Sequence, residues 1–128
     1  MNNGHIYFEI QVDDPRRAIN FYSKVFGWKF SEELVGLPVP YWRIETGGSR
    51  GGLLERPAKR PPGLCGTNAF VCSLEVEDFD ATAKTILDLG GDVALPKFAV
   101  PKTCWQGYFV DPEGNTFGIF QVDAHAGN

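Results

Sequence analysis

Three residues near the start of the chain carry side chains suited to acid-base chemistry or polar recognition. His5, Tyr7 and Glu9 stand at alternate positions, so in an extended strand they lie on one face. A carboxylate and an imidazole at this spacing can exchange protons with a bound ligand. Glu9 and His5 are therefore the candidate catalytic residues. The structural alternative is a solvated His5 at the strand end and a Glu9 paired with an arginine such as Arg43.

Further side chains are candidates for a ligand pocket. The hydroxyl groups of Tyr7, Tyr41 and Tyr108 can hydrogen-bond a ligand while their rings pack, and a purely structural place in the core is the alternative. Histidine occurs only as His5 and His125, and no serine or cysteine stands with histidine and an acid in the order of a nucleophilic triad. The expected pocket residues are Tyr7, Leu54, Val71, Ser73, Trp105 and Phe120.

The elements that must position these residues begin with a strand and a helix. Apolar residues alternate from Ile6 to Val12, which predicts a half-buried strand. Asp14 followed by Pro15 predicts a helix start, and Gly27 predicts its end. Three more strands are predicted at 28–33, 41–46 and 52–55, so the order of elements is βαβββ.

The second half of the chain repeats this pattern 64 positions later, where Asp78 takes the place of Asp14 and Gly91 that of Gly27. A helical stripe follows at Phe79, Ala83, Ile86 and Leu87, and strands are predicted at 68–76, 92–95, 105–110 and 116–122, with a turn at 111–114. The sequence thus predicts an α+β fold of two tandem βαβββ modules, about 5–55 and 68–122, joined by a linker at 56–67. Because one helix covers only one face of a sheet, we expect the other faces to curve into a cup for a small molecule.

Composition narrows the classes of function. The chain has 128 residues, of which 43% are apolar and 22% charged, as in a single soluble domain. A net charge of −4 and scattered basic residues argue against nucleic acid as a partner. No apolar run approaches the ~20 residues of a membrane span, and no signal-peptide pattern is present, so we expect a cytoplasmic protein without membrane partners. Three cysteines without metal-site spacing indicate reduced thiols.

Two segments carry a resemblance to a known family. The stretch from His5 to Tyr22, followed by Val25-Phe26-Gly27-Trp28, resembles the opening of the vicinal oxygen chelate superfamily, and Asp111-Pro112-Glu113-Gly114-Asn115 with Phe117-Gly118-Ile119 resembles its closing strand motif. This superfamily includes glyoxalase I, extradiol dioxygenases, fosfomycin-modifying enzymes and bleomycin resistance proteins. The resemblance implies the paired βαβββ fold more firmly than any one reaction, and it implies a homodimer.

The resemblance also implies where a metal would bind. In the metal-using members, histidine and glutamate side chains from the first and last strand of each module hold the ion. These positions correspond here to Tyr7, Gly52, Val71 and Gly118. Because a divalent ion needs several N, O or S donors within ~2.0–2.6 Å, we expect no metal cofactor. The alternative is a divalent metal bound after a two-residue shift of register, with its ligands drawn from His5, Glu9, Ser73 and Glu75.

Three hypotheses for function follow. The first is a small-molecule-binding protein of the glyoxalase and bleomycin-resistance type, with Glu9 and His5 as polar anchors in the cup. The second is a lyase or dioxygenase of the glyoxalase type, either metal-dependent or using Glu9 as general base. The third is an accessory module that pairs through its strands with another protein.

Overall fold

The computed structural model describes residues 7–34, 37–56 and 69–128. His5 and almost all of the predicted linker lie outside the described residues. Contacts between Cα atoms divide the chain into unit 1, Met1–Pro61, and unit 2, Pro62–Asn128. Each unit consists of a strand, a helix and three further strands, so the predicted α+β fold of two βαβββ modules is confirmed.

Unit 1 contains one four-stranded mixed sheet and one helix. Its sheet has the order β1-β4-β3-β2, in which β1 and β4 are parallel and the other neighbours antiparallel. A parallel pair needs a long crossover connection, which here includes the helix. The elements are β1 (Phe8–Val12), α1 (Pro15–Phe26), β2 (Lys29–Glu33), β3 (Tyr41–Glu45) and β4 (Arg50–Glu55).

Unit 2 has the same topology. Its sheet has the order β5-β8-β7-β6, and β5 and β8 are the parallel pair. The elements are β5 (Ser73–Glu75), α2 (Phe79–Asp88), β6 (Asp92–Val100), β7 (Cys104–Val110) and β8 (Thr116–Val122).

Both helices begin at the predicted caps. The carboxylate of Asp14 accepts the backbone N–H groups of Arg16 and Arg17, and Asp78 accepts that of Ala81 at 3.0 Å. These bonds satisfy donors that the first helical turn otherwise leaves without partners. No helix among the described residues is long and apolar enough to cross a membrane.

Each helix covers one face of its own sheet. In unit 1, Val12 and Leu53 are fully buried on that face together with Phe21 of the helix, and Trp28 stacks on Tyr22 with ring centres 5.3 Å apart. In unit 2, Ile86 of α2 and Ile119 of β8 are fully buried, as are nearly all of Phe79, Phe109 and Phe117. The opposite face of each sheet is the one that its own helix leaves uncovered, and we call it the open face.

The structure differs from the sequence-based prediction at the margins of unit 2. The strand predicted at 68–76 is shorter, because its pairing with β8 begins only where Ser73 stands opposite Gly118. The strand predicted at 92–95 extends to Val100 despite Pro96, which is tolerated because β6 is an edge strand with register shifts around it. Gly90, with φ 95°, adopts the left-handed conformation after α2 instead of Gly91. Leu87 is about half exposed and does not belong to the buried apolar stripe.

Loss of the Asp78 cap is expected to destabilise the protein measurably. Asp78→Ala leaves the N–H of Ala81 without its acceptor and should lower the free energy of unfolding by about 1 kcal/mol. Asp78→Asn keeps an acceptor oxygen and should retain most of that stability. Urea denaturation measures the free energy of unfolding of both variants. Equal losses in the two would show that the acceptor oxygen of the cap does not stabilise the helix.

Candidate functional site

The layer of side chains on the open face of unit 1 is interrupted near its centre, where a glycine stands in the sheet. Strand register places Gly52 of β4 between Glu9 of β1 and Arg43 of β3. Neighbouring strands lie about 4.8 Å apart, so the Cα atoms of Glu9 and Arg43 are separated by roughly 10 Å, and the residue between them has no side chain of its own. A polar ligand or a neighbouring side chain can therefore approach the backbone at this point.

Tyr41 fills this gap. A Cβ atom built on Gly52 would collide with the hydroxyl and ring of Tyr41, so the phenol lies directly on the glycine backbone. The Tyr41 hydroxyl donates a hydrogen bond to Glu9 Oε2 at 2.6 Å. The hydroxyl of Tyr7 lies 2.8 Å from that of Tyr41. Because Tyr41 has only one hydroxyl proton and gives it to the carboxylate, Tyr7 must be the donor to Tyr41.

These bonds form a directed chain, which we call the tyrosine–glutamate chain, from Tyr7 to Tyr41 to Glu9. Partial burial raises the pKa of Tyr41, and the hydrogen bond to Glu9, that to Tyr7 and the charge of Glu9 raise it further. Tyr41 therefore keeps its proton well above the pH at which a free tyrosine ionises. The phenol acts as a fixed hydrogen-bond donor to the carboxylate.

Arg43 takes no part in this chain. Its Nε atom lies 3.1 Å from Glu33 Oε2, in an ion pair on the same open face. The hydrogen bond to Glu33 raises the pKa of Arg43, and electrostatic interactions with the nearby Tyr7, in its ionised form, and with the Glu33 carboxylate raise it further. The pairing of Glu9 with Arg43 considered from the sequence is therefore not found, since Glu9 bonds to Tyr41.

The open face of unit 2 has an equivalent glycine with different neighbours. Gly118 lies in register between Ser73 and Tyr108. A Cβ atom there would collide with Ser73 Oγ and would lie 2.8 Å from Gln106 Nε2, which itself donates to Ser73 Oγ at 3.2 Å. Phe98 stacks on Tyr108 beside this cluster, with ring centres 6.4 Å apart. The side chains that cover Gly118 are thus uncharged, and an aromatic pair lies beside them.

The structure places the predicted site residues in several locations. Tyr7, Glu9 and Leu54 lie on the open face of unit 1, and Ser73 and Phe120 on that of unit 2. Val71 precedes β5 and is 40% exposed, and His5 is outside the described residues.

Trp105 lies on the face of unit 2 opposite to Ser73 and Phe120. It alternates with Gln106 along β7, and Lys97 Nζ is 4.8 Å from its ring centre. Its Nε1 donates a hydrogen bond to Asp123 at 3.0 Å, and the pKa of Asp123 is lowered by the backbone N–H of His125 and by this bond. These contacts give Trp105 a packing environment on the side of the sheet that carries α2.

The residues in register beside the two glycines are Glu9 and Ser73. The first-strand positions that correspond by family resemblance to metal ligands, Tyr7 and Val71, lie two residues before these. The sequence indicates Tyr41 only as one of three tyrosines whose hydroxyl groups can hydrogen-bond a ligand. The signal that would have found it is strand pairing, because Tyr41 pairs with Leu54, two residues beyond Gly52.

The described residues do not fit a divalent metal ion. Gly52 and Gly118 offer no side-chain donor, and the space above them is taken by Tyr41 in unit 1 and by Ser73 and Gln106 in unit 2. Within the described ranges, no three or more His, Cys, Asp or Glu residues come together as an ion would require. Glu9 supplies one carboxylate, which already accepts the proton of Tyr41.

A separate depression of about 440 Å³ lies at the ends of β5 and β8. It is lined by Glu75, Val76, Glu77, Gln121 and Val122. Gln121 Oε1 accepts the backbone N–H of Phe79 at 2.7 Å, so this side chain supports the start of α2. Because this glutamine serves the fold and the depression is wide open, we regard the tyrosine–glutamate chain as the better candidate site.

Comparison with known proteins decides the family. The model of the Glyoxalase/Bleomycin resistance protein/Dioxygenase superfamily matches residues 4–119. The chain belongs to this superfamily. It is 26% identical over 124 residues to the putative glyoxylase CFP32 of Mycobacterium bovis, covering 94% of this chain and 46% of that protein. The chain thus spans about half the length of this superfamily relative.

Two solved structures show the same fold. A glyoxylase/bleomycin resistance protein/dioxygenase domain from Frankia sp. EAN1pec has a TM-score of 0.75 at 17% identity, with 96% of this chain and 94% of that one covered. A mutant of the fosfomycin resistance protein FosX from Listeria monocytogenes, complexed with Mn(II) and a dihydroxypropylphosphonic acid, has a TM-score of 0.75 at 14% identity, with 96% and 95% covered. At these identities the likeness extends to the superfamily fold alone.

A methyl group on Gly52 should displace Tyr41 without unfolding the protein. In Gly52→Ala, the Tyr41 ring must leave the sheet, so its bond to Glu9 breaks and its pKa falls towards the ~10 of a free tyrosine. NMR titration of ¹³C-labelled tyrosine rings measures this directly. Gly48→Ala is the matched control, since its Cβ would meet only Thr46 Oγ1 at 3.9 Å. An unchanged Tyr41 titration in Gly52→Ala would contradict the described contact.

The raised pKa of Tyr41 predicts a pH-dependent stability term. Above pH ~10 the unfolded chain loses a tyrosine proton that the folded protein keeps, so this term is present below that pH and is lost as the pH rises. Tyr41→Phe removes the term. The stability advantage of the wild type over Tyr41→Phe should therefore shrink between pH ~8 and pH ~11 in urea denaturation. A constant difference over that range would show that Tyr41 titrates alike in both states.

Proposed function

We propose that this member of the superfamily binds a small organic molecule on the open face of unit 1 without the metal ion of its metal-using relatives. The observation that carries the proposal is the Tyr41 phenol lying on Gly52 and bonded to Glu9. This hydrogen-bonded array lies on Gly52, which is one of the positions that correspond by resemblance to metal ligands in the metal-using members. A few convergent polar groups beside apolar surface are typical of small-molecule sites.

The surroundings of the array support binding of an organic ligand. Leu54 lies beside Gly52 on the same face and is only half-buried, so it offers apolar contact area. Tyr7 is 43% exposed, so its hydroxyl and ring are accessible. A ligand can therefore bury apolar surface and make polar contacts at the same place. We also propose that the protein is a homodimer and is located in the cytoplasm, as expected from the sequence.

The metal part of the proposal is tested by elemental analysis. Protein expressed in medium supplemented with Zn²⁺, Mn²⁺ and Ni²⁺ and then desalted should hold less than ~0.2 ion per chain, because the described donors are too few. One ion per chain, removed by a chelator together with a thermal-stability shift, would overturn it.

The binding part is tested by mapping a fragment library onto the protein. In ¹H–¹⁵N spectra, fragments that bind in the presence of EDTA should perturb the amides of Glu9, Tyr41 and Gly52. Gly52→Ala should weaken these fragments at least tenfold, and Gly48→Ala should change their affinity less than twofold. Fragments that cluster elsewhere, or that require added metal, would contradict the proposed site.

A second candidate function is a metal-free acid-base catalyst, which the contact between a phenol and a carboxylate favours. Glu9 would act as general base and Tyr41 as the donor that holds it in place. Small carbonyl compounds with an acidic C–H bond are the substrates to try, because removal of such a proton is the step that a carboxylate base can perform. Turnover that resists EDTA and is lost in Glu9→Gln supports catalysis. Turnover that is equal in Glu9→Gln excludes Glu9 as the base.

A further inference from the structure

We infer that the tyrosine–glutamate chain recognises an organic ammonium group, an inference that rests on the small-molecule site proposed above. The first step is the direction of the hydrogen bonds. Tyr7 gives its proton to Tyr41, and Tyr41 gives its proton to Glu9. Both hydroxyl protons are therefore used within the chain. What this array offers a ligand are acceptors only, namely the Tyr7 oxygen and the Glu9 carboxylate.

Because the array offers acceptors and no donors, it favours ligands that carry hydrogen-bond donors. A ligand that offers a carbonyl or a carboxylate finds no proton in this array, whereas an N–H or O–H group finds oxygens on two side chains. Glu9 and Tyr7 are both exposed on the open face, so these oxygens are accessible. An alkylammonium group carries three N–H donors and can bond to both side chains at once.

The charge of Glu9 also favours an ammonium group. Arg43 is paired with Glu33 on this face, and Glu45 stands opposite Lys29 and Arg50 in the register of its two neighbouring strands. The groups in direct contact with Glu9 are neutral, because Gly52 stands opposite it and Tyr41 is its hydrogen-bond partner. The cation on the far side of Gly52 is Arg43, whose ion pair is with Glu33. Among the described residues, no cation is ion-paired with Glu9. The array of Tyr7, Tyr41 and Glu9 thus carries a negative charge that none of its members compensates.

The aromatic rings of the two tyrosines favour a cation as well. The rings of Tyr7 and Tyr41 are brought together by the bond between their hydroxyl groups. Tyrosine rings attract cations through their faces and provide apolar area for the carbon atoms next to an ammonium group. A neutral alcohol of the same shape gains neither this attraction nor the charge of Glu9.

A matched pair of probes tests the inference on the full chain. 2-Phenylethylamine and 2-phenylethanol differ in the ammonium and hydroxyl groups, and each is titrated at neutral pH while the amides of unit 1 are followed by NMR. The amine should bind at least tenfold more tightly than the alcohol and should perturb Tyr7, Glu9 and Gly52. An alcohol that binds as tightly as the amine at this place overturns the ammonium inference and leaves the small-molecule site intact.

Two isosteric variants separate recognition from general surface charge. Glu9→Gln should weaken the amine at least tenfold, whereas Glu45→Gln, which removes the same charge from the same face, should change its affinity less than twofold. Tyr7→Phe removes one acceptor and should weaken the amine about threefold. Equal losses in Glu9→Gln and Glu45→Gln would mean that only net charge matters, and would overturn the inference.

The outcomes also distinguish this inference from the function on which it rests. If fragments bind at Gly52 but the amine does not, the ammonium inference fails alone. If neither the amine nor any fragment perturbs Tyr41 and Gly52 while the variants keep native spectra, both fail.

Discussion

The arrangement on which the rest of unit 1 depends is the contact between the Tyr41 phenol and the backbone of Gly52. Only glycine leaves room there, because any Cβ atom would overlap the ring. The contact brings the hydroxyl to Glu9, and this bond in turn orders the hydroxyl of Tyr7. One missing side chain on β4 thus determines the direction of two hydrogen bonds and the place of one negative charge.

The same glycine position in unit 2 shows how the duplicated fold has diverged. Gly52 is covered by Tyr41 from the third strand of its module, whereas Gly118 is covered by Ser73 from the first strand and by Gln106 and Tyr108 from the third. The shared geometry comes from the strand order, which brings the first and last strands of each unit together as a parallel pair. The chemistry differs because neutral amide and hydroxyl groups replace a carboxylate and its phenol.

Much of the fold was predictable from local signals. Asp14, Pro15 and Gly27 mark the ends of α1 through capping, which depends on only a few neighbouring residues. β6 was predicted too short, because Pro96 is a strand breaker unless the strand lies at an edge, and edge position is a property of the whole sheet. In the candidate site, the shared strand face of Glu9 and Tyr7 was predictable, but their hydrogen bonds were not. Alternation alone places Glu9 and Tyr7 on one face of β1, whereas the partner of Glu9 depends on strand register. Glu33 on β2 takes Arg43, which leaves Tyr41 for Glu9.

Neutron diffraction from a deuterated crystal tests the central claim most directly. The account predicts a deuteron on Tyr41 Oη directed at Glu9 Oε2, a second on Tyr7 Oη directed at Tyr41, and the Tyr41 ring in contact with Gly52. A cation coordinated by Glu9 in that space, or a Tyr41 ring turned away from Gly52, would contradict it.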